Sequence, residues 1–145
     1  MSDNALEECR ATLRRVSQIK MPNLREKEEG RPKLSPGEKI EQLESYLLLT
    51  AEARQEAHMA KLIVQEALDV LQAQWDAIEG WEIELPSNSK RTGAEVIEAK
   101  RRTTPDLYGS IQTAKRLIDR LTEQIKRLEK DDGVSSRAYT LLTGG

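Results

Sequence analysis

Apolar side chains recur at helical intervals along most of this chain. Leu6, Cys9, Leu13 and Val16 follow one another in steps of three and four, a single stripe that predicts a helix over about residues 3–19, with Asp3 at its acidic start. Ser35-Pro36 followed by Glu38 is a helix-start signature, with Ser as N-cap and Pro at the first helical position. Beyond Gly37 no proline or glycine intervenes before Gly80, so a second helix is predicted to run from Pro36 to Glu79 and to end on Gly80 as its C-cap. Its expected apolar positions are Ile40, Leu43, Leu47, Ala51, Ala60, Ile63, Ala67, Val70, Leu71, Trp75 and Ile78, with Gln74 as a polar break. The pattern then changes. In GWEIELPSNSKRTG, Trp81, Ile83 and Leu85 alternate with Glu82 and Glu84, the period of a strand, up to Pro86. Thr92 with Glu95 forms a capping-box pattern that opens a third helix, and Thr103-Thr104-Pro105-Asp106 restarts or kinks it, with Thr104 as N-cap. Ile111, Ala114, Ile118, Leu121, Ile125 and Leu128 then form a coiled-coil seam, which Asp131-Asp132-Gly133 is expected to stop.

These elements predict an all-α protein built on a long antiparallel, coiled-coil-like helical hairpin. Residues 1–20 form a short N-terminal helix and 21–36 a Pro/Gly-rich charged linker that leaves this helix free to move. Residues 37–131 make the hairpin and oligomerisation unit, with a short strand-like or irregular tip at 81–91. Residues 132–145 form a tail with a short helix over Ala138–Leu142. Composition supports thin helical stripes over a thick core: aromatic residues are 3%, Phe is absent and charged residues are 33%. A lone cysteine excludes an internal disulfide, and no run approaches the roughly 18 apolar residues of a membrane span, so a cytoplasm is the expected setting. No membrane partner, cofactor, metal or small-molecule ligand is expected.

Total charge is only −2, but its distribution is uneven. Residues 35–85 hold 11 acidic and 3 basic side chains, whereas residues 90–130 hold 11 basic and 6 acidic ones. Either the two arms attract one another, or part of the basic face is free to meet phosphate. Candidate nucleic-acid contacts are Lys90, Arg91, Lys100, Arg101, Arg102, Lys115 and Arg116, with Lys100-Arg101-Arg102 the densest cluster. Arg10, Arg14 and Arg15 add a smaller cluster on the first helix. A helix-turn-helix is not evident, because a long Pro/Gly segment separates the first two helices.

Catalytic constellations are missing from the sequence. His58 has no second histidine or cysteine near it, Cys9 lies on an apolar stripe, and neither a Walker A loop nor a G-x-G-x-x-G motif occurs. The expectation is therefore a protein that is not an enzyme. Trp75 and Trp81 flank the tip. They either close a small cap of core or, with Ile83 and Leu85, offer an interface to another subunit. The seam residues Ile111, Ala114, Ile118, Leu121, Ile125 and Leu128 are expected to pair with the second helix and with neighbouring subunits.

A helical hairpin with self-complementary stripes, a polar N-terminal arm and a C-terminal tail resembles the oligomerisation core of bacteriophage small terminase subunits. The stretch TPDLYGSIQTAKRLIDRLTEQIKRLEKDDGVSSRAYTLLTGG is also similar to small helical proteins of actinobacterial phages and prophages. The likeness covers roughly residues 40–145 and is one of pattern. It implies a homo-oligomeric, ring-forming, non-catalytic protein in the host cytoplasm that recognises double-stranded viral DNA and delivers it to a large ATPase subunit. Many members carry an N-terminal helix-turn-helix that this chain lacks. The other class of function compatible with the pattern is an adaptor, scaffold or inhibitor acting only through protein–protein contacts.

Overall fold

The computed structural model describes residues 3–24, 34–81 and 92–144. These residues form helices α1 (Asp3–Ser17), α2 (Pro36–Asp76), α3 (Gly93–Thr103) and α4 (Pro105–Thr143). The fold is all-α. The strand-like stretch lies outside the described residues apart from Trp81, and with it Ile83, Leu85, Lys90 and Arg91.

Local chemistry accounts for the helix starts. The Glu38 amide donates to Ser35 Oγ at 3.2 Å. At the start of α3, the Glu95 amide donates to Thr92 Oγ1 at 3.2 Å while the Thr92 amide donates to Glu95 Oε2 at 3.3 Å, a complete capping box. Thr104 does occupy the N-cap position of α4, but its hydroxyl points backwards and donates to Lys100 O, so no side chain caps α4.

Helices α2 and α4, each about 60 Å long at 1.5 Å per residue, pack along most of their length. Partners across them run in opposite order: Tyr139 reaches Glu44, Tyr46 reaches Asp131, and Tyr108 packs at a tilt beside Trp75. The third side of the core is α1, which lies against both. Buried Cys9 and Val16 of α1 meet Ala53, Ala57, Ala60 and Val64 of α2 and Ala114, Leu117, Leu121, Ile125 and Leu128 of α4. The N-terminal helix is therefore docked into the core.

The buried face of α2 matches the expected one at Leu43, Ala60 and Ala67 and differs elsewhere. Its buried residues are Leu43, Tyr46, Thr50, Ala53, Ala57, Ala60, Val64 and Ala67, a strict alternation of steps of three and four in which most side chains are small. Ile63 and Val70, expected inside, are exposed, as is Ala51. Alanine at the contact lets two helices approach the same helix closely, while larger residues there would hold α1 off.

Two helix ends also differ. The α2 helix closes at Asp76, with Ala77 as cap, and Gly80 takes up its left-handed φ of 81° only three residues later. The last turn opens because the Trp75 carbonyl accepts from the Ile78 amide and from Lys100 Nζ. Asp131-Asp132-Gly133 does not stop α4, which continues to Thr143. Asp131 and Asp132 are held by Arg127 and Arg54, and Ser135 beyond them is buried, so tertiary contacts outweigh the local stop signal. What had been expected as a tail helix over Ala138–Leu142 is the end of α4.

Gly133 has a helical φ, and a Cβ there would meet nothing within 4 Å. Gly133→Ala is expected to stabilise the protein by about 0.5–1 kcal/mol, read as a rise in the urea midpoint without a change in m-value.

Candidate nucleic-acid interface

Along the line where α1 meets α4, a groove of about 400 Å³ is lined by Arg10, Leu13 and Arg14 from α1 and by Thr113, Arg116, Leu117 and Arg120 from α4. Each helix contributes by its own period: Arg10 and Arg14 are four apart, and so are Arg116 and Arg120. Leu117 is buried and anchors the floor. On the α1 side, Glu7 takes both guanidiniums, Arg14 Nη2 at 3.2 Å and Arg10 Nη1 at 3.5 Å. The hydrogen bond from Arg14 is the main reason that the Glu7 carboxyl sits below its usual range. Arg116 and Arg120 are exposed and make no ion pair among the described residues. Four guanidiniums thus converge on a groove with a single carboxylate paired to them.

The α1 half of this groove is held in place by Arg127. Its Nη2 donates to Val16 O at 2.9 Å and its Nη1 to Ile19 O at 2.8 Å, so a guanidinium from α4 joins the Ile19 amide on the Val16 carbonyl and supplies a donor to the Ile19 carbonyl beyond the C-terminal end of α1. Nε donates to Gln124 Oε1 at 2.9 Å, and Nη1 also reaches Asp131 Oδ2 at 3.3 Å. The same Asp131 oxygen accepts from the Tyr46 hydroxyl at 3.4 Å, which ties α2 into the network. Burial first, and then the Asp131 carboxylate, push the Tyr46 hydroxyl up from 10 to about 12.

The densest sequence cluster is otherwise engaged. Lys100 Nζ donates to Trp75 O at 3.1 Å and lies 5.8 Å from the centre of the Trp75 ring, where it supplies the cation that the last turn of α2 lacks. Arg101 Nε donates to Glu98 Oε2 at 2.9 Å, and Arg102 Nε reaches Glu98 Oε1 at 3.3 Å. Arg101, followed by Arg102, holds the Glu98 carboxyl down at about 2. Lys115 lies on another face, beside Trp75, Ile97 and Tyr108. Arg15 turns towards α2 and pairs with Glu56. Of the sequence candidates, the fold brings together Arg10, Arg14 and Arg116. Arg120 was missed, although its spacing of four from Arg116 was a visible signal.

Other candidates have internal roles. Trp75 and Trp81 are half-buried; Trp75 packs on Tyr108 with ring centres 5.8 Å apart, joining α2 to α4. Ile111, Ala114, Leu121, Ile125 and Leu128 are buried within one chain, and Ile118 packs against the same core. The Cys9 thiol donates to Ala60 O at 3.6 Å, and burial raises its pKa, which keeps it protonated. His58 is exposed on α2. Among the described residues, no helix is long and apolar enough to cross a membrane. The chain matches no protein-family model, and no curated protein or solved structure shows significant similarity to it.

Arg127→Met keeps the aliphatic stem but removes the donor of the Ile19 carbonyl and the second donor of the Val16 carbonyl. It is expected to cost about 1–3 kcal/mol, concentrated in α1. Hydrogen exchange of α1 amides should accelerate by about tenfold or more, with the α2–α4 pair little changed. A second expectation concerns high pH. The folded-state pKa of Tyr46 lies above its unfolded value of 10, so its contribution to stability is complete below pH 10 and is lost as pH rises towards about 12. Urea midpoints measured across that window should fall more steeply for the parent protein than for Tyr46→Phe.

Proposed function

We propose that this chain is a non-catalytic, homo-oligomeric assembly protein that contacts DNA backbone through the groove between α1 and α4. The observation that carries this reading is the convergence of Arg10, Arg14, Arg116 and Arg120 from two helices that are remote in sequence. Guanidiniums suit phosphate because their planar fork donates two hydrogen bonds at once and never loses its charge. Arg116 and Arg120 are available for this without breaking an ion pair among the described residues, whereas Arg10 and Arg14 exchange Glu7 for phosphate. One such groove is a weak site, and repetition in an oligomer multiplies it by effective concentration. This fits the role implied by the resemblance to small terminase subunits, in which the protein binds viral DNA for packaging and recruits a large ATPase subunit. A second reading, an adaptor acting through protein contacts alone, is favoured by large apolar side chains exposed along α2.

Duplex DNA titrated at several salt concentrations separates the two. The expected plot of log affinity against log salt has a slope of about −3 to −4 per groove, as four phosphate contacts require. Arg116→Ala with Arg120→Ala should flatten it by about two units, whereas Arg101→Ala with Arg102→Ala should leave it unchanged. No DNA binding at low salt would sink the packaging reading, and the mass of the particle in solution tests the oligomer.

A further inference from the structure

Helix α2 carries a second apolar stripe, made of its larger side chains. Leu48, Met59, Leu62, Ile63 and Val70 are between 40% and 71% exposed. At about 100° per residue, the five fall within about 100° of one another, with Ile63 at the edge nearest the buried face. The stripe spans about 33 Å at 1.5 Å per residue. It runs into a groove of about 480 Å³ between α1 and α2, where Met59 and Ile63 lie beside Cys9 and Ala60. Glu52, Gln55 and Glu66 fall within the same arc, so the face is mixed. Met59, Leu62 and Ile63 form an exposed apolar cluster beside the groove, flanked by acids and by Leu48 and Val70 further along. An exposed apolar cluster with a polar rim marks a contact site.

The surrounding charge selects the occupant. Glu8, Glu52 and Glu56 line the groove, and Glu66 and Asp69 continue along the exposed face, while the one base lining it, Arg15, is paired with Glu56. We infer that this face binds a cationic amphipathic helix of a partner protein, with apolar residues on the stripe and Lys or Arg against the acids. A second copy fits poorly. Antiparallel pairing of two such stripes sets Glu52 near Glu66, like charge on like charge. The other exposed large apolar residues, Met21, Leu49, Ile97, Val134 and Leu141, form no basic stripe of matching length. Segments of this chain outside the described residues fit no better, since 25–33 contain no apolar residue and 82–91 only Ile83 and Leu85. An anionic membrane is repelled by the same acids. The inference stands whether or not the arginine groove takes DNA.

The probe is a fluorescent helical peptide made only of leucine and lysine at amphipathic spacing, titrated against the full chain by anisotropy, with amide NMR shifts locating it. It is expected to bind about tenfold or more tightly than the same peptide with glutamate for lysine or serine for leucine. Leu62→Ser with Val70→Ser, both at exposed positions, should weaken binding by about tenfold with helix content unchanged by circular dichroism. Arg116→Ala with Arg120→Ala, the variant that tests DNA contact, should leave peptide binding as it was. Equal binding by the stripe variant, equal binding of the glutamate peptide, or peptide shifts confined to another face would each overturn the proposal. So would self-association of the parent chain that the stripe variant abolishes, because the occupant would then be a second copy.

Discussion

The rest of the structure depends on how closely α1 and α4 can approach α2. Ala53, Ala57 and Ala60 set that distance, because a helix presenting only Cβ atoms lets two neighbours close on it at once. Leu121 and Leu128 of α4 and Val16 of α1, all fully buried, supply the bulk that fills the space between. Each such side chain contributes on the order of 1.5–3 kcal/mol relative to exposure, which is what a thin core with few aromatics has to draw on. Adding volume at Ala57, which has no exposed surface, would force α1 and α4 apart together.

Close approach creates a second need. The C-terminal ends of α1 and α2 come to lie against the returning arm, where end carbonyls with at most one turn amide as partner take side-chain donors. Arg127 meets that need for α1 and Lys100 for α2. The uneven charge of the chain is thus used differently from a zipper of acids on one arm against bases on the other. Basic residues of the second half turn to helix ends or to acids of their own helix, and the ion pair between α2 and α4, Arg54 with Asp132, has the opposite sense. Acids of α2 and arginines of α4 that are not used in this way remain at the surface, and they frame the two candidate contact faces.

Those faces follow from one packing decision. Docking α1 beside α4 brings Arg10 and Arg14 to Arg116 and Arg120, and docking it beside α2 builds the wall of the acid-lined apolar groove. Two surfaces of opposite charge therefore lie on two sides of the same helix.

Sequence alone determined the all-α class, the start of each helix and the seam of α4 except at one position, where Leu117 is buried and Ile118 only partly so. The reason is that the Ser35 cap of α2, the capping box of α3, Pro105 at the first position of α4 and apolar stripes at steps of three and four act within one or two turns. It also bounded the chemistry by the residue types at hand. Tertiary structure decided the rest. The buried face of α2 was hidden because alanine and threonine give little hydrophobic signal, and Leu, Ile and Val on its other side gave a stronger one. Gly133 reads as a stop, yet α4 passes through it, since the ion pairs of Asp131 and Asp132 and the burial of Ser135 outweigh a local preference worth about 1 kcal/mol. Lys100-Arg101-Arg102 reads as a free cluster, but Trp75 and Glu98 occupy it. The arginine groove needs residues about a hundred positions apart on two helices, and only the docking of α1, held by Arg127, puts them side by side.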